Sequence, residues 1–166
     1  MSGQGREHRS EERARSGGPR GSESAVASAA SGDTGLERIN PPELARAAGF
    51  SHAVLADTNR IVFLAGQTAL DADGRIVGDG VVAQFERALG NLLTALRAAG
   101  GEPAHLATLT VYAVDLGDYR AHAREIGGVW RRLVGTDYPA MAGIGIARLW
   151  DDEALVEVQG IAALPA

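Results

Sequence analysis

Alternating apolar and polar positions near the carboxyl end of the chain predict a terminal pair of β-strands. Residues Ala142 to Leu149 and Ala154 to Ala163 alternate with a period of two and flank a polar turn at Asp151 to Glu153. Alternate residues of the second run line opposite faces of the strand, with Leu155, Glu157, Gln159 and Ile161 on one face and Val156, Val158, Gly160 and Ala162 on the other. One carboxylate, that of Glu157, therefore lies in an otherwise apolar strand.

Apolar positions spaced three and four residues apart predict two helices. The first runs from Val81 to Ala99 and ends before Gly100, a residue that readily takes the left-handed conformation of a helix end. The second runs from Tyr119 to about Val134, with Asp118 as its N-cap. Each helix has one apolar stripe, made of Val82, Phe85, Leu89, Leu92, Leu93 and Leu96 in the first and of Ile126, Val129, Trp130 and Leu133 in the second.

The remaining patterns predict a hairpin and two further strands. The hairpin joins His52 to Ala56 with Arg60 to Ala65. Within it, the continuous apolar run Ile61 to Leu64 is typical of a strand buried on both faces. The two further strands are Arg75 to Val77, after a turn at Asp71 to Gly74, and Ala107 to Val114.

The order of these elements is βββαβαββ, in which antiparallel strand pairs are interleaved with two helices, and it predicts an α+β fold. We expect an antiparallel-rich sheet with both helices on one face. The opposite face of such a sheet would be apolar and bare. Because a domain of this size rarely leaves an apolar sheet face in water, we expect a second copy of the chain to cover it.

Composition divides the chain of 166 residues into two parts. Residues 1–35 contain almost only Ser, Gly, Ala, Arg and Glu, with Val26 as the single branched aliphatic residue, so they predict a disordered tail. Residues 36–166 form the predicted domain. The arginines of the tail suggest a nucleic-acid arm as an alternative, but interspersed glutamates dilute their charge.

Charge and residue types narrow the classes of partner. A net charge of −5 argues against nucleic acid as a partner of the domain. The chain has no cysteine, which excludes disulfides and thiolate chemistry. The domain's histidines, His52, His105 and His122, lack the spacing of a metal pair, so we expect neither a metal nor another cofactor. No apolar run is long enough to span a membrane, and we expect a cytoplasmic protein without membrane partners.

Six ordered blocks between about Ile39 and Ala163 resemble the Rid family (YjgF-like reactive intermediate deaminases). They are INPPELARAAGFSHAV, FLAGQTALDADGRIV, QFERALGNLLTALRAAG, TLTVYAVDLGDY, YPAMAGIGIARL and VEVQGIA. The resemblance implies a chorismate-mutase-like α+β fold and a homotrimer whose sheets pack into a central barrel. It also implies clefts between subunits in which small imine substrates are hydrolysed.

The resemblance also implies which residues line the cleft. The catalytic position of the family, a glutamate that orients water, falls on Glu157, whereas the arginine that grips the substrate carboxylate is replaced by Met141. The other positions that the resemblance assigns to the cleft are apolar or small, namely Phe50, Ser51, Ala65, Ala123 and Gly143. The expected function is hydrolysis of an imine or enamine other than the usual small 2-imino acids. The alternative is a non-catalytic trimer that binds a small molecule or assists a pathway.

Four polar side chains near the expected cleft carry alternative interpretations. Glu157 either orients water or forms an ion pair with an arginine such as Arg148. For Arg148 itself, the favoured role is a structural ion pair. For Gln67 we expect hydrogen bonds to the backbone of its own turn or to a neighbouring subunit. His52 follows the Phe50-Ser51 stretch and is a candidate acid or base.

Overall fold

A computed structural model of the protein describes residues 34–166. It contains six strands: β1 (Leu36–Ile39), β2 (Ala53–Ala56), β3 (Arg60–Gln67), β4 (Leu106–Ala113), β5 (Ala140–Gly145) and β6 (Val156–Leu164). The helices are α1 (Gly80–Ala98), α2 (Leu116–Ala121) and α3 (Ala123–Leu133), with a short 3₁₀ helix at Pro103–His105. The expected α+β class is confirmed. The predicted disordered tail lies outside the described residues except for its last two positions.

The main sheet has the strand order β3-β6-β4-β5. Strand β6 pairs antiparallel with both β3 and β4, whereas β5 pairs parallel with β4. The prediction of a terminal strand pair is therefore wrong, because β4 lies between β5 and β6. The polar segment after β5 does not close a tight hairpin. Instead, the backbone N–H of Val114 donates to the carbonyl of Leu155, which brings the start of β6 beside the end of β4.

The predicted hairpin between residues 52 and 65 is also wrong, because its two strands belong to different sheets. Strand β2 pairs with β1 in a separate two-stranded sheet, while β3 pairs with β6. The turn between them explains the separation. Asp57 N donates to the Gly35 carbonyl beside β1, and the Thr58 hydroxyl donates to the Leu164 carbonyl at the end of β6.

The turn at Asp71 to Gly74 is confirmed, but the strand predicted after it is reduced to one bridge between Leu70 and Ile76. The Asp71 carboxylate accepts hydrogen bonds from the backbone N–H groups of Asp73 and Arg75, each at 2.9 Å. Gly74 has a φ of 76°, the left-handed conformation that such a turn needs. Two backbone hydrogen bonds flank the bridge, from Asp71 N to the Arg75 carbonyl and from Val77 N to the Ala69 carbonyl, each at 2.9 Å.

One hydrophobic core contains residues of α1, α3 and the main-sheet strands β3, β4 and β6. The predicted stripe of α1 is buried apart from Val82, which is half-buried. In β4 the expected alternation is confirmed, because Leu109, Val111 and Ala113 are buried. In β6, Val156 and Val158 are fully buried. Burial of these side chains supplies the apolar area that stabilises the domain.

The second predicted helix is two helices, and Asp118 is not its cap. Helix α2 begins after Asp115, whose carboxylate accepts a hydrogen bond from Asp118 N at 2.9 Å. His122 then ends α2 and precedes α3. The N-cap prediction failed because two aspartates three residues apart both suit a helix start, and only the upstream one lies outside the helix. The buried residues of α3 are Ile126, Val129 and Trp130, as predicted, and Leu133 is half-buried.

One face of the main sheet carries exposed apolar side chains in the single chain. In β3, Leu64 is 7% exposed but Phe63 is 79% exposed and Ile61 is exposed as well. The expectation that this strand is buried on both faces is thus met on one face only. No helix among residues 34–166 has the length and apolar character needed to cross a membrane.

Candidate functional site

An open cavity of about 350 Å³ lies beside β5, at the edge of the main sheet where Ser51 forms an isolated parallel bridge with Ala140. Three predicted site residues, Phe50, Ser51 and Met141, line it together. The other lining residues are His52, Thr108, Ala140 and Ala142. The sequence blocks around residues 50 and 141 are distant in the chain, and the fold brings them side by side.

Two hydrogen bonds from Ser51 connect the segment before β2 to the residues that precede β5. Its backbone N–H donates to the Pro139 carbonyl at 2.8 Å, and its hydroxyl donates to the Tyr138 carbonyl at 2.7 Å. The side chain is buried. Because the hydroxyl is already a donor to the backbone, Ser51 shapes this cavity and holds the strand that carries Met141.

Contacts of an arginine and of a tryptophan hold Tyr138 in the segment that precedes β5. The Arg38 guanidinium donates to the same Tyr138 carbonyl at 3.3 Å and lies 3.5 Å from the Ala104 carbonyl. The Tyr138 ring stacks on Trp130, with ring centroids 5.1 Å apart and planes 12° apart. Strand β5 is thus held in place where it enters the sheet.

The cavity wall is mostly apolar. Met141 pairs with the fully buried Leu109 in the β4–β5 ladder and packs against the core. Among the described residues, those that line the cavity include no arginine or lysine. His52 lies edge-on to Phe50 with ring centroids 5.0 Å apart, and its Nε2 is 2.8 Å from the Ala45 carbonyl. That contact leaves Nδ1 as the ring atom available for other partners.

Glu157 lies on β6 with its side chain on the open face of the sheet. It alternates with the fully buried Val156 and Val158, and its neighbour across the ladder is Tyr112 of β4. Within the part of the chain that the structure describes, its carboxylate has no hydrogen bond and no ion pair. The alternative in which Glu157 pairs with Arg148 is therefore not observed, and Arg148 forms no other ion pair among these residues. The carboxylate instead lies against Gly66 of β3.

Three other predicted site residues do not line the cavity. Ala65 is exposed on β3, and Ala123 is exposed at the start of α3. Gly143 is exposed on β5, two residues beyond Met141. Gln67 donates to its own turn, as expected, with its amide 3.1 Å from the Gly66 carbonyl.

Sequence reasoning missed Thr108 and Gly66. Thr108 lines the cavity from β4 and pairs with Ala140 in the ladder. The alternation of β4 was a usable signal, because the residues between its buried positions must face the other side of the sheet. Gly66 had no signal of its own, since its role depends on a carboxylate that lies far along the chain.

Met141 and Glu157 lie on opposite sides of the sheet within one chain. The ladder partner of Met141 is the buried Leu109, whereas Glu157 alternates with buried residues and so points away from the core. The two side chains therefore do not meet in a single copy.

Comparison with known proteins identifies the family to which this architecture belongs. Residues 41–164 match the sequence model of the family described as Endoribonuclease L-PSP. A solved structure from Yersinia pestis, described as a protein of unknown function of the conserved Rid protein family, has a TM-score of 0.72 and 34% sequence identity. That match covers 78% of this chain and 99% of the other. The chain belongs to the Rid family.

Two curated relatives extend the comparison within the Rid family. The 2-iminobutanoate/2-iminopropanoate deaminase of Capra hircus is 32% identical over 114 residues, which cover 68% of this chain and 78% of the relative. Protein DfrA of Myxococcus xanthus is 38% identical over 101 residues, which cover 60% of this chain and 74% of the relative. The predicted family resemblance is confirmed.

Proposed function

We propose that this Rid-family protein hydrolyses an imine or enamine metabolite in a cleft between subunits, and that its substrate is not a small 2-imino acid. The observation that carries the proposal is the state of Glu157. The carboxylate lies on an apolar strand and has no ionic or hydrogen-bonding partner in the described residues. It therefore forms no polar contact that would stabilise the folded chain. Such a group is well suited to orient and deprotonate water.

The chemistry follows from that carboxylate. Glu157 accepts a proton from water as the water oxygen forms a bond to the imine carbon. That proton passes to the imine nitrogen, which gives the carbinolamine R₂C(OH)NH₂. Glu157 then transfers the hydroxyl proton to the amino group, the carbon–nitrogen bond breaks, and ammonia leaves as the carbonyl forms. For an imine R₂C=NH and water, the products are R₂C=O and NH₃. No redox step is involved, and the reaction needs no cofactor.

The cavity at β5 supports an uncharged substrate. A carboxylate substrate would call for an arginine that forms two parallel hydrogen bonds. The resemblance puts that arginine at Met141, a thioether that packs on the core. Truncating one partner of a buried charge pair costs about 2–5 kcal/mol of binding, so small 2-imino acids should bind poorly.

The geometry also supports a cleft formed by two subunits. Met141 and Glu157 lie on opposite sides of one sheet, and the exposed Phe63 marks an apolar face that a second copy would cover. In a homotrimer, the Glu157 of one subunit would meet the β5 cavity of another. This arrangement is part of the proposal.

A second candidate function is a trimer that binds an apolar small molecule without turnover. The apolar wall made by Phe50, Met141 and two alanines favours it, since hydrophobic lining with few polar groups is typical of binding pockets. RNA cleavage is not part of the proposal, because the net charge of −5 opposes the capture of RNA phosphates.

The test compares a neutral imine with a carboxylated one. The imine of 2-phenylethylamine, generated in situ by an amine oxidase, provides the neutral probe, and ammonia release is measured against the enzyme-free rate. We expect wild-type protein to accelerate release and Glu157→Gln to lower the rate about a hundredfold, within the usual range for a general base. Glu153→Gln, a matched change at an exposed loop residue, should keep the wild-type rate.

Two results separate the alternatives. Equal rates for the wild type and Glu157→Gln would contradict the role of Glu157. If the wild type binds the neutral imine but accelerates ammonia release neither from it nor from the carboxylated 2-iminobutanoate, the binding function is the better account.

A further inference from the structure

Strand β3 is irregular at the point where it passes Glu157. The β3–β6 ladder pairs Leu64 with Gly160 and then Gln67 with Val158. Two residues of β3, Ala65 and Gly66, therefore face a single residue of β6. This is a β-bulge, a feature that bends a strand and redirects side chains, and bulges are frequent beside active sites.

The bulge leaves a space that Glu157 fills. A Cβ added at Gly66 would overlap the Glu157 carboxylate, with Oε1 and Cδ as its nearest atoms and Cγ at 3.3 Å. All three nearest atoms belong to Glu157. Only a residue without a side chain leaves room for the carboxylate in this position.

Backbone conformation does not explain a glycine at position 66. The described glycines with left-handed φ values are Gly35, Gly49, Gly74, Gly78, Gly80, Gly100 and Gly135. Gly66 is outside that group, so its backbone suits any L-residue. The requirement for glycine therefore comes from the contact with Glu157.

The side chain of Gln67 holds the bulge in shape. Its amide nitrogen lies 3.1 Å from the Gly66 carbonyl and 3.5 Å from the Ala65 carbonyl. Both bulged carbonyls thus have a donor close by within the strand itself. A fixed bulge keeps Gly66 directly beneath the carboxylate.

We propose that Gly66, held in a bulge by the Gln67 amide, is a positioning residue that seats the Glu157 carboxylate for reaction with water. The catalytic consequence rests on the proposed hydrolase function. The position of the carboxylate against Gly66, which we call the seat, does not depend on that function. A carboxylate at the end of a flexible side chain can move aside when a methyl group is added. Gly66→Ala should therefore fold normally and fail mainly in turnover.

The experiment combines kinetics with a crystal structure of Gly66→Ala. We expect the Glu157 carboxylate to be displaced from the bulge and kcat for the neutral imine to fall about a hundredfold, since small misplacements cost rate on this scale. KM should change little. The control is Gly128→Ala, because a Cβ at Gly128 meets no atom within 4 Å. It should keep both kcat and the wild-type position of Glu157.

The outcomes distinguish the seat from the function. An unmoved carboxylate, or an unchanged kcat in Gly66→Ala, would overturn the proposal. If the wild type has no turnover, the hydrolase function fails and the carboxylate position alone decides: displacement supports the seat and no displacement refutes it. If Gly66→Ala does not fold, Glu157→Ala in the same chain should restore folding, and failure to restore it would also refute the seat.

Discussion

At the scale of single residues, the proposed site depends on the contact between the Glu157 carboxylate and Gly66. Glu157 stands out in an apolar strand, and its position on the open face follows from simple alternation. Its contact with Gly66 depends on the register of β3 against β6. A bulge changes that register by one residue, which no local pattern reveals.

His122 gives a pH-dependent prediction at this scale. The backbone carbonyl of Asp118, 3.0 Å from His122 Nδ1, together with the Asp118 and Glu125 carboxylates, raises the pKa of His122 above its ordinary value. A raised folded-state pKa stabilises the protein at pH values below the unfolded pKa, and this contribution disappears as pH rises through the folded value. Relative to that of His122→Gln, the melting temperature of the wild type should therefore fall as the pH rises through the folded-state pKa of His122.

The same histidine can be followed by NMR. We expect Asp118→Asn to lower the pKa of His122 only part of the way, because the backbone carbonyl remains as an acceptor. A pKa of His122 below the ordinary histidine value in the wild-type protein would contradict the assigned contacts.

At the scale of elements, local patterns predicted most helices and strands but not their partners. The stripe of α1 and the alternation of β4 and β6 are properties of contiguous residues, so the sequence was sufficient. Pairing was harder, because neighbouring strands in sequence usually pair and the expected hairpins followed that rule. Here β2 and β3 enter different sheets, and β4 separates β5 from β6.

The break at His122 belongs to the same scale. The apolar spacing of α3 extends in register toward Tyr119, so periodicity alone predicted one helix. The capping bond from Asp118 N to the Asp115 carboxylate starts α2 earlier, and the short helix then ends after Ala121. Periodicity locates an apolar face but does not locate the helix ends.

At the scale of the whole molecule, the open sheet face favours self-association, and the family resemblance makes a homotrimer the expected assembly. Phe63 and Ile61 project from that face, and burial of a phenylalanine contributes about 1.5–3 kcal/mol per copy. We expect light scattering at micromolar concentration to give the mass of a trimer for the wild type and for Phe63→Leu. Phe63→Arg should shift the mass toward the monomer, since it places a charge in the interface. A monomeric wild type would refute the trimer.

The most direct test of the central claim is to supply the arginine that the resemblance places at Met141. The claim is that Glu157 can orient water in the cleft, but that the cleft lacks the arginine needed to bind a substrate carboxylate. We predict that Met141→Arg hydrolyses 2-iminobutanoate at least about tenfold faster than the wild type, in line with a new charge pair. Met141→Leu, which adds no charge, should not.

The gain must depend on Glu157. Adding Glu157→Gln to Met141→Arg should return the rate to that of the wild type, because the carboxylate that orients water is then absent. A wild type that already hydrolyses 2-iminobutanoate as fast as Met141→Arg would contradict the account. So would a trimeric Met141→Arg variant that shows no gain.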